Sequence, residues 1–333
     1  KQFLIDFLNH MQERVRAIQP SYFELSVAMA FQYFKEQKVD LAIVETGLGG
    51  GADSTNIITP VLSIITNISY DHQNVLGDTL EEIAGHKAGI IKPKVPVVIG
   101  ETQPETKAVF INKAREERAP IIFADQHWTA ELIKRALRYS TYRIFHKGKI
   151  WMDQLTSELQ GDYQAKNLQT VFQSIEWANT YDLFSKKIKP EHLKEGLRSL
   201  RERTNFIGRW QLLQTDPTVL IDSAHNVGGM NYAVHQLAQL EFHKLHFVLG
   251  VVKDKDLPRV LAILPKNAVY YFAKADIPRG LEAEILAGKA RDYGLEGKAY
   301  AGVYEALQAA KAAAGKGDLV FVGGSIYVVA EIV

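Results

Sequence analysis

The chain has 333 residues, 47% hydrophobic and 23% charged, proportions typical of a globular protein with a full core. At roughly 150 residues per domain its length predicts about two domains. A net charge of +1, from 39 basic and 38 acidic residues, gives no electrostatic reason to expect a nucleic-acid or membrane-surface partner. No cysteine is present, which excludes a disulfide framework and a thiolate-ligated zinc site, and no apolar run approaches the length that spans a bilayer.

In chain order, residues 1–10 read as an amphipathic helix and not a signal peptide, because Asp6 and Asn9 interrupt the apolar run. The cytoplasm is therefore the expected compartment. The chain opens without Met and stops in mid-pattern at Val333, so it reads as part of something longer. Residues 22–34 place apolar side chains at helical spacing. Residues 40–45, Asp-Leu-Ala-Ile-Val-Glu, then read as a short apolar strand that ends in a carboxylate and runs into the glycine-rich loop 46–56. In an open parallel α/β sheet, ligands sit beyond the carboxyl ends of strands. Glu45 is thus expected where chemistry occurs, and the glycines would let backbone N–H groups approach a charged ligand. Gly47, Gly49, Gly50 and Gly51 lack the six-residue dinucleotide spacing, which disfavours an oxidoreductase.

Residues 61–68 repeat the pattern as a strand followed by Asp71-His72. Glu45 and His72 could share Mg²⁺, a hard ion that keeps several waters and accepts phosphate oxygens; His72 could equally cap the next helix. Residues 78–90 predict a helix with Asp78 as N-cap, and Lys87 on it is by composition an ordinary solvated lysine. Residues 95–99 and 120–123 are further short buried strands, 129–151 is β-rich and 163–180 helical. This alternation argues a parallel sheet with crossover helices. A second α/β series follows Gly208-Arg-Trp210, with strands at 218–222, 246–251, 268–272, 299–301 and 318–322. The last ends in Gly323-Gly-Ser325 at a helix start, a favourable place for an anion. The expected division is 1–207 and 208–333. Asp222 and His225 either pair a carboxylate with an imidazole at a strand end or form a capped turn. Arg209, at the domain junction, either clamps phosphates in bidentate fashion or lies on the surface. Residues 253–256, Lys-Asp-Lys-Asp, read as a solvated loop. Neither a nucleophile elbow nor HExxH occurs, so hydrolase readings lack support.

Together these segments resemble the folylpolyglutamate synthase and dihydrofolate synthase family, within the Mur-type ATP-dependent amide ligases. The matching strings are FEL from Phe23, VETGLGGGADSTN from Val44, and ITNISYDHQNVLGDTLEEIAGHKAGIIKP from Ile65. GDYQAKN from Gly161, GRW from Gly208, IDSAHN from Ile221, KDKD from Lys253 and GGSIY from Gly323 complete the set. They fall in family order over essentially the whole chain. The resemblance implies an α/β fold with a Mur-ligase-like parallel-sheet ATPase domain, here partial, and a smaller Rossmann-like C-terminal domain. It implies that ATP phosphorylates a folate or dihydropteroate carboxylate and that L-glutamate attacks the acyl phosphate. It further implies that Glu45 and His72 hold magnesium, joined by Lys87 once carbamylated, and that Asn167, Arg209, Asp222 and His225 serve ATP. Lys87, His72, Asp222 and His225 are the expected catalytic group. A monomer with small-molecule substrates, and neither nucleic acid nor membrane as partner, is the family expectation.

Three departures stand out. Gly51-Ala52 replaces the family's arginine and bulky apolar residue, His86 replaces a glutamate before the modified lysine, and the family's Gly-Thr-Asn-Gly-Lys-Gly-Ser phosphate loop, upstream of Phe23, does not occur in these residues. The expectation is that the 333 residues alone do not form the amide whereas a complete protein does. A ligase of peptidoglycan type fits the loop segments less well. A truncated or degenerate paralogue that binds folate or nucleotide without turnover is the alternative from another class.

Overall fold

A computed structural model describes residues 1–253 and 256–333. The chain divides into two compact units, 1–128 with 169–187, and 129–168 with 188–333. No helix among the described residues is long and apolar enough to cross a membrane.

The first unit opens with helices Gln2–Ile18 and Tyr22–Gln37. Ser21 and Glu24 close a capping box at the start of the second: Ser21 Oγ accepts from the Glu24 amide and the Glu24 carboxylate from the Ser21 amide. A parallel sheet follows in the order β1 (Ser63–Ile65), β2 (Val97–Ile99), β3 (Ile121–Phe123). Helices Leu80–Ala88 and Pro104–Glu116 bury Ile83, Ala84, Phe110 and Ala114 against Ile65, Val97 and Ile99.

Two expectations need correction here. Residues 41–46 form no strand, and Ile43 is 91% exposed. Glu45 therefore does not end a strand. Among the described residues β1 pairs only with β2, so nothing supplies the ladder that an apolar extended segment needs to become a strand. The cap of helix Leu80–Ala88 is Thr79, not Asp78. Thr79-Leu-Glu-Glu82 is a capping box, in which Glu82 accepts from the amides of both Asp78 and Thr79 and so draws the helix start one residue on.

In the second unit, β4 (Trp128–Arg135, its first residue in the first unit), β5 (Ser140–His146) and β6 (Lys149–Ser157) form a three-stranded sheet. A six-stranded sheet comprises β7 (Gln211–Thr215), β8 (Thr218–Asp222), β9 (Leu245–Leu249), β10 (Val269–Ala273), β11 (Gly297–Tyr300) and β12 (Leu319–Gly323). Its order is β11-β10-β9-β12-β8-β7, parallel throughout except for β7, which pairs antiparallel with β8. β9 and β12 are buried along their whole length, as the near-continuous apolar runs of internal parallel strands require.

Two separate cores cover the two faces of this sheet. Leu220, Phe247 and Phe321 pack with Met230, Leu261 and Leu286 from the helices that follow β8, β9 and β10. Val219, Ile221, Val320 and Val322 pack with Val303, Ala306, Leu307 and Val328 from the helices that flank β12. The connections leaving β8 and β12, which are neighbours, thus go to opposite faces. That is a topological switch point, the place where open α/β sheets bind ligands, and there Gly323 lies in register with Asp222.

Candidate active site

The expected site residues fall into two groups, one in each unit. Glu45, His72 and Lys87 belong to the first, and Asn167, Arg209, Asp222 and His225 to the second.

In the first unit the glycine loop is packed onto the end of helix Leu80–Ala88. The Gly51 amide donates to the His86 carbonyl at 2.8 Å. Asn56 Nδ2 lies 3.0 Å from the carbonyl oxygens of both Gly51 and Gly89, and so ties the loop to the helix terminus. The approach leaves no room for side chains. A Cβ on Gly89 would lie 2.3 Å from Gly51 Cα, and one on Gly50 2.8 Å from the His86 carbonyl oxygen and 3.1 Å from Lys87 Cα. Gly49 has φ of +71°, a conformation glycine adopts at little cost.

Asp53 fixes the loop's far end. Its carboxylate accepts from the Leu48 amide at 2.7 Å, the Thr55 amide at 2.9 Å and the Thr55 hydroxyl at 2.5 Å. Burial opposes its charge, but the hydrogen bonds from Thr55 and from the Leu48 amide outweigh burial and hold its carboxyl below the ordinary value. Glu45 is exposed and has no hydrogen-bond or ion-pair partner among the described residues. His72 is exposed, in a left-handed conformation at φ of 51°, and its side chain caps nothing; its Nε2 lies 3.9 Å from Asp71. Lys87 is half-buried in the last turn of its helix. Among the described residues no three His, Asp or Glu side chains cluster as a metal cage. A cation there would take most of its ligands from water and phosphate oxygens, as Mg²⁺ does.

In the second unit Asp222 ends β8, buried at 7% exposure. Its carboxylate accepts from the Trp210 and Ala224 amides, each at 2.7 Å. Burial pushes its carboxyl pKa up, against these two hydrogen bonds and the nearby Arg209 charge. Together with the Ser223 amide on the Gly208 carbonyl at 2.9 Å, this latches the 208–210 turn onto the strand end. Gly208 and Trp210 have φ of 79° and 41°, so the turn is an unusual one that needs holding. Arg209 is thereby carried at the switch-point rim. His225 Nδ1 lies 3.1 Å from the Ser223 carbonyl oxygen. A carbonyl only accepts, so the neutral ring carries its proton on Nδ1 and Nε2 is the acceptor. Asn167, in the first turns of helix Gln164–Thr180, donates from Nδ2 to Gln164 Oε1 at 3.1 Å.

Residues outside the expected set complete this cluster. Burial, and next the charge of Asp222, push the Tyr163 phenol up to about 12, while Arg209 and Arg201 pull it back. Tyr163 thus stands within electrostatic reach of all three and packs edge-on against Tyr232 at 5.7 Å. Arg201 reaches the same turn from outside, donating to the Arg209 carbonyl at 2.7 Å. Arg135 on β4 pairs with Asp162, the residue before Tyr163, and donates to Gln239 at 2.7 Å. Tyr163 and Asp162 lie inside the GDYQAKN segment, so the sequence carried a signal for them. Arg135 and Arg201 carried none, since only folding brings them near. Residues 254 and 255 of the Lys-Asp-Lys-Asp segment lie outside the described residues; Lys253 Nζ contacts the Pro278 carbonyl at 3.3 Å.

Comparison with known proteins joins the two groups to one lineage. The Mur ligase middle domain matches residues 14–175, and the Mur ligase glutamate ligase domain matches residues 208–326. The dihydrofolate synthase/folylpolyglutamate synthase of Bacillus subtilis is 33% identical over 339 aligned residues, spanning 98% of this chain and 76% of that protein. The folylpolyglutamate synthase of Lacticaseibacillus casei is 32% identical over 283, spanning 82% of this chain and 63% of that protein. Among solved structures, a Mycobacterium tuberculosis folylpolyglutamate synthase complexed with ADP and AMPPCP superposes with a TM-score of 0.83 at 27% identity, covering 99% of this chain and 77% of that one. Escherichia coli FolC in complex with DHPP and ADP gives 0.77 at 27%, covering 94% and 70%. With two ligase domains in tandem and this shared length of aligned chain, the protein belongs to the folylpolyglutamate synthase/dihydrofolate synthase family of Mur-type ligases.

Proposed function

We propose that the protein is an ATP-dependent ligase that adds L-glutamate to the carboxylate of a folate or dihydropteroate. The observation that carries this reading is the alignment with the B. subtilis synthase, which runs through both groups of candidate residues. The γ-phosphoryl group of ATP passes to the substrate carboxylate, giving an acyl phosphate and ADP. The glutamate amine then attacks the acyl carbon, the amide forms and inorganic phosphate leaves. Little covalent chemistry falls to the protein; positioning and charge neutralisation supply most of the acceleration.

The second unit serves the nucleotide in this reading. Both Asp222 oxygens are engaged by amides, so Asp222 acts by holding the turn that presents Arg209, and His225 and Asn167 serve the nucleotide with it. The first unit serves the metal: Glu45 and His72 would hold magnesium with Lys87 as its carbamate, and the ion when bound would neutralise charge on the phosphates. The division at 207/208 marks where the glutamate ligase domain starts. The compartment is the cytoplasm and the protein acts as a monomer.

The test is ADP release and product mass with tetrahydrofolate or dihydropteroate, ATP, Mg²⁺ and L-glutamate, run on the protein with each reactant left out in turn. The expected result is amide product that requires ATP, Mg²⁺ and L-glutamate together. A full protein that binds ADP and folate yet forms no amide would overturn the ligase assignment.

A further inference from the structure

A cavity of about 1040 Å³ opens within the second unit, along β7. That strand is the edge of the six-stranded sheet, and its outer side pairs with no strand among the described residues. The facing walls carry Arg138, from the turn between β4 and β5, and Arg198 and Arg201, from helices Pro190–Arg198 and Leu200–Thr204.

The lining carries charges of both signs, four arginines against three glutamates. Glu195 is taken by Arg203, Glu158 accepts from the Arg201 amide at 2.8 Å, and Glu202 is exposed and forms no ion pair among the described residues. Arg138 and Arg198 are exposed and form no ion pair among the described residues. The Arg201 guanidinium gives its hydrogens to two neutral carbonyls, those of Phe206 at 3.0 Å and Arg209 at 2.7 Å, and lies over the Phe206 ring. Burial pulls the Arg201 pKa down, against the nearby charge of Glu158 and, after it, those of Tyr163 and Asp222. A half-buried cation with carbonyls but no side-chain carboxylate on its guanidinium favours an incoming anion. Guanidinium forks match carboxylates in two-point fashion. One end of the groove is the back of the nucleotide turn, since Trp210 lines it and the Trp210 amide is bonded to Asp222.

We propose that this groove receives the oligo-γ-glutamyl chain of the product as it lengthens, with its carboxylates on Arg201, Arg198 and Arg138 and its amides along the free edge of β7. The inference rests on the ligase reading above and adds to it a track that favours multiply glutamylated over singly glutamylated substrates.

The experiment is calorimetric titration of the full protein with free tetra-γ-glutamate, with pyrophosphate as a second probe, comparing wild type and the double variant Arg138→Ala/Arg198→Ala. Product chain lengths are measured in parallel. Loss of one charge-assisted contact corresponds to on the order of tenfold in affinity. The double variant is expected to lose tetra-γ-glutamate affinity by at least that factor. It should add the first glutamate at the wild-type rate and yield shorter products. Equal affinity in the two proteins, or pyrophosphate binding as tightly as the tetrapeptide, would overturn the groove assignment. Variant-sensitive binding of the chain in a protein that performs no ligation would support the groove while counting against the ligase reading, which keeps the two failures distinguishable.

Discussion

Two buried carboxylates in this chain respond to pH in opposite directions, and each holds a piece of candidate-site backbone. Asp53 has a lowered pKa, so its contribution to stability is present above the ordinary value of 3.8 and is lost as pH falls through the folded value. Asp222 has a raised pKa, so the favourable balance lies below 3.8 and declines as pH rises through the folded value. In Asp53→Asn or Asp222→Asn the new NH₂ group must face a backbone amide that previously donated to oxygen. Such a mismatch costs about 1–3 kcal/mol, and each kcal/mol shifts the melting temperature of a domain of 150–250 residues by about 2–4 °C. The deficit of Asp53→Asn should therefore shrink on acidification, whereas that of Asp222→Asn should shrink toward neutrality. Melting curves of both variants and wild type across about pH 3 to 7 give the comparison. Parallel pH trends in the two variants would contradict the assignment of the shifts to these carboxylates.

At the level of elements, the glycine loop separates positions that packing dictates from those it leaves open. Gly50 and Gly89 have no room for a methyl group, whereas a Cβ on Gly51 would sit 3.5 Å from Gly89 Cα and 3.6 Å from the His86 carbonyl oxygen, ordinary contact distances. Gly51 is also exposed and free of positive φ. Gly51→Arg, which restores the family residue, should thus leave stability within about 0.5 kcal/mol. Gly50→Ala and Gly89→Ala should each lose about 1–3 kcal/mol by overpacking and displace the loop that follows Glu45, as thermal melts would show. Equal losses at all three positions would refute this account. The same contrast explains what the sequence made legible. Strands β8 and β12 are apolar runs ending at a carboxylate and a glycine, β9 and β10 are largely apolar, and each of these was readable to within two or three residues. Residues 40–45 carry the same signature but meet no partner strand, and β7 escaped notice because Gln211 and Gln214 break its apolar pattern while pairing with β8 gives it its structure. The candidates Asp222 and His225 stood out because they follow the apolar run of β8, and Arg209 because it sits between Gly208 and Trp210 ahead of the second α/β series. Arg135 and Arg201 did not, because only tertiary folding sets them beside residues 162 and 209.

Over the whole molecule, the physical contrast between the two units is one of ladder length and edge exposure. The first unit's strands are three residues each, and β1 carries an unpaired edge among the described residues with Ile64 42% exposed. In the second unit β12 runs five residues, is buried throughout and is paired on both sides, by β8 and β9. It also lies between two cores, so opening any of its amides requires breaking contacts on both faces. Local opening free energies follow such differences in buried contacts and exposed backbone. Amides of Val320, Phe321 and Val322, and of Val248 beside them, should therefore exchange slower than those of Ile64 and Ile65 by on the order of tenfold or more. Because the residues proposed to serve the nucleotide are mounted at the end of this slow sheet, ADP should deepen protection at residues 208–210 and 222–225 with little change along β12 itself, which is paired on both sides and buried throughout. Hydrogen exchange read by mass spectrometry, with and without ADP, checks both statements. Exchange at β1 as slow as at β12, or ADP protection spread along the whole sheet in place of its rim, would show that the rigid frame has been assigned to the wrong half of the chain.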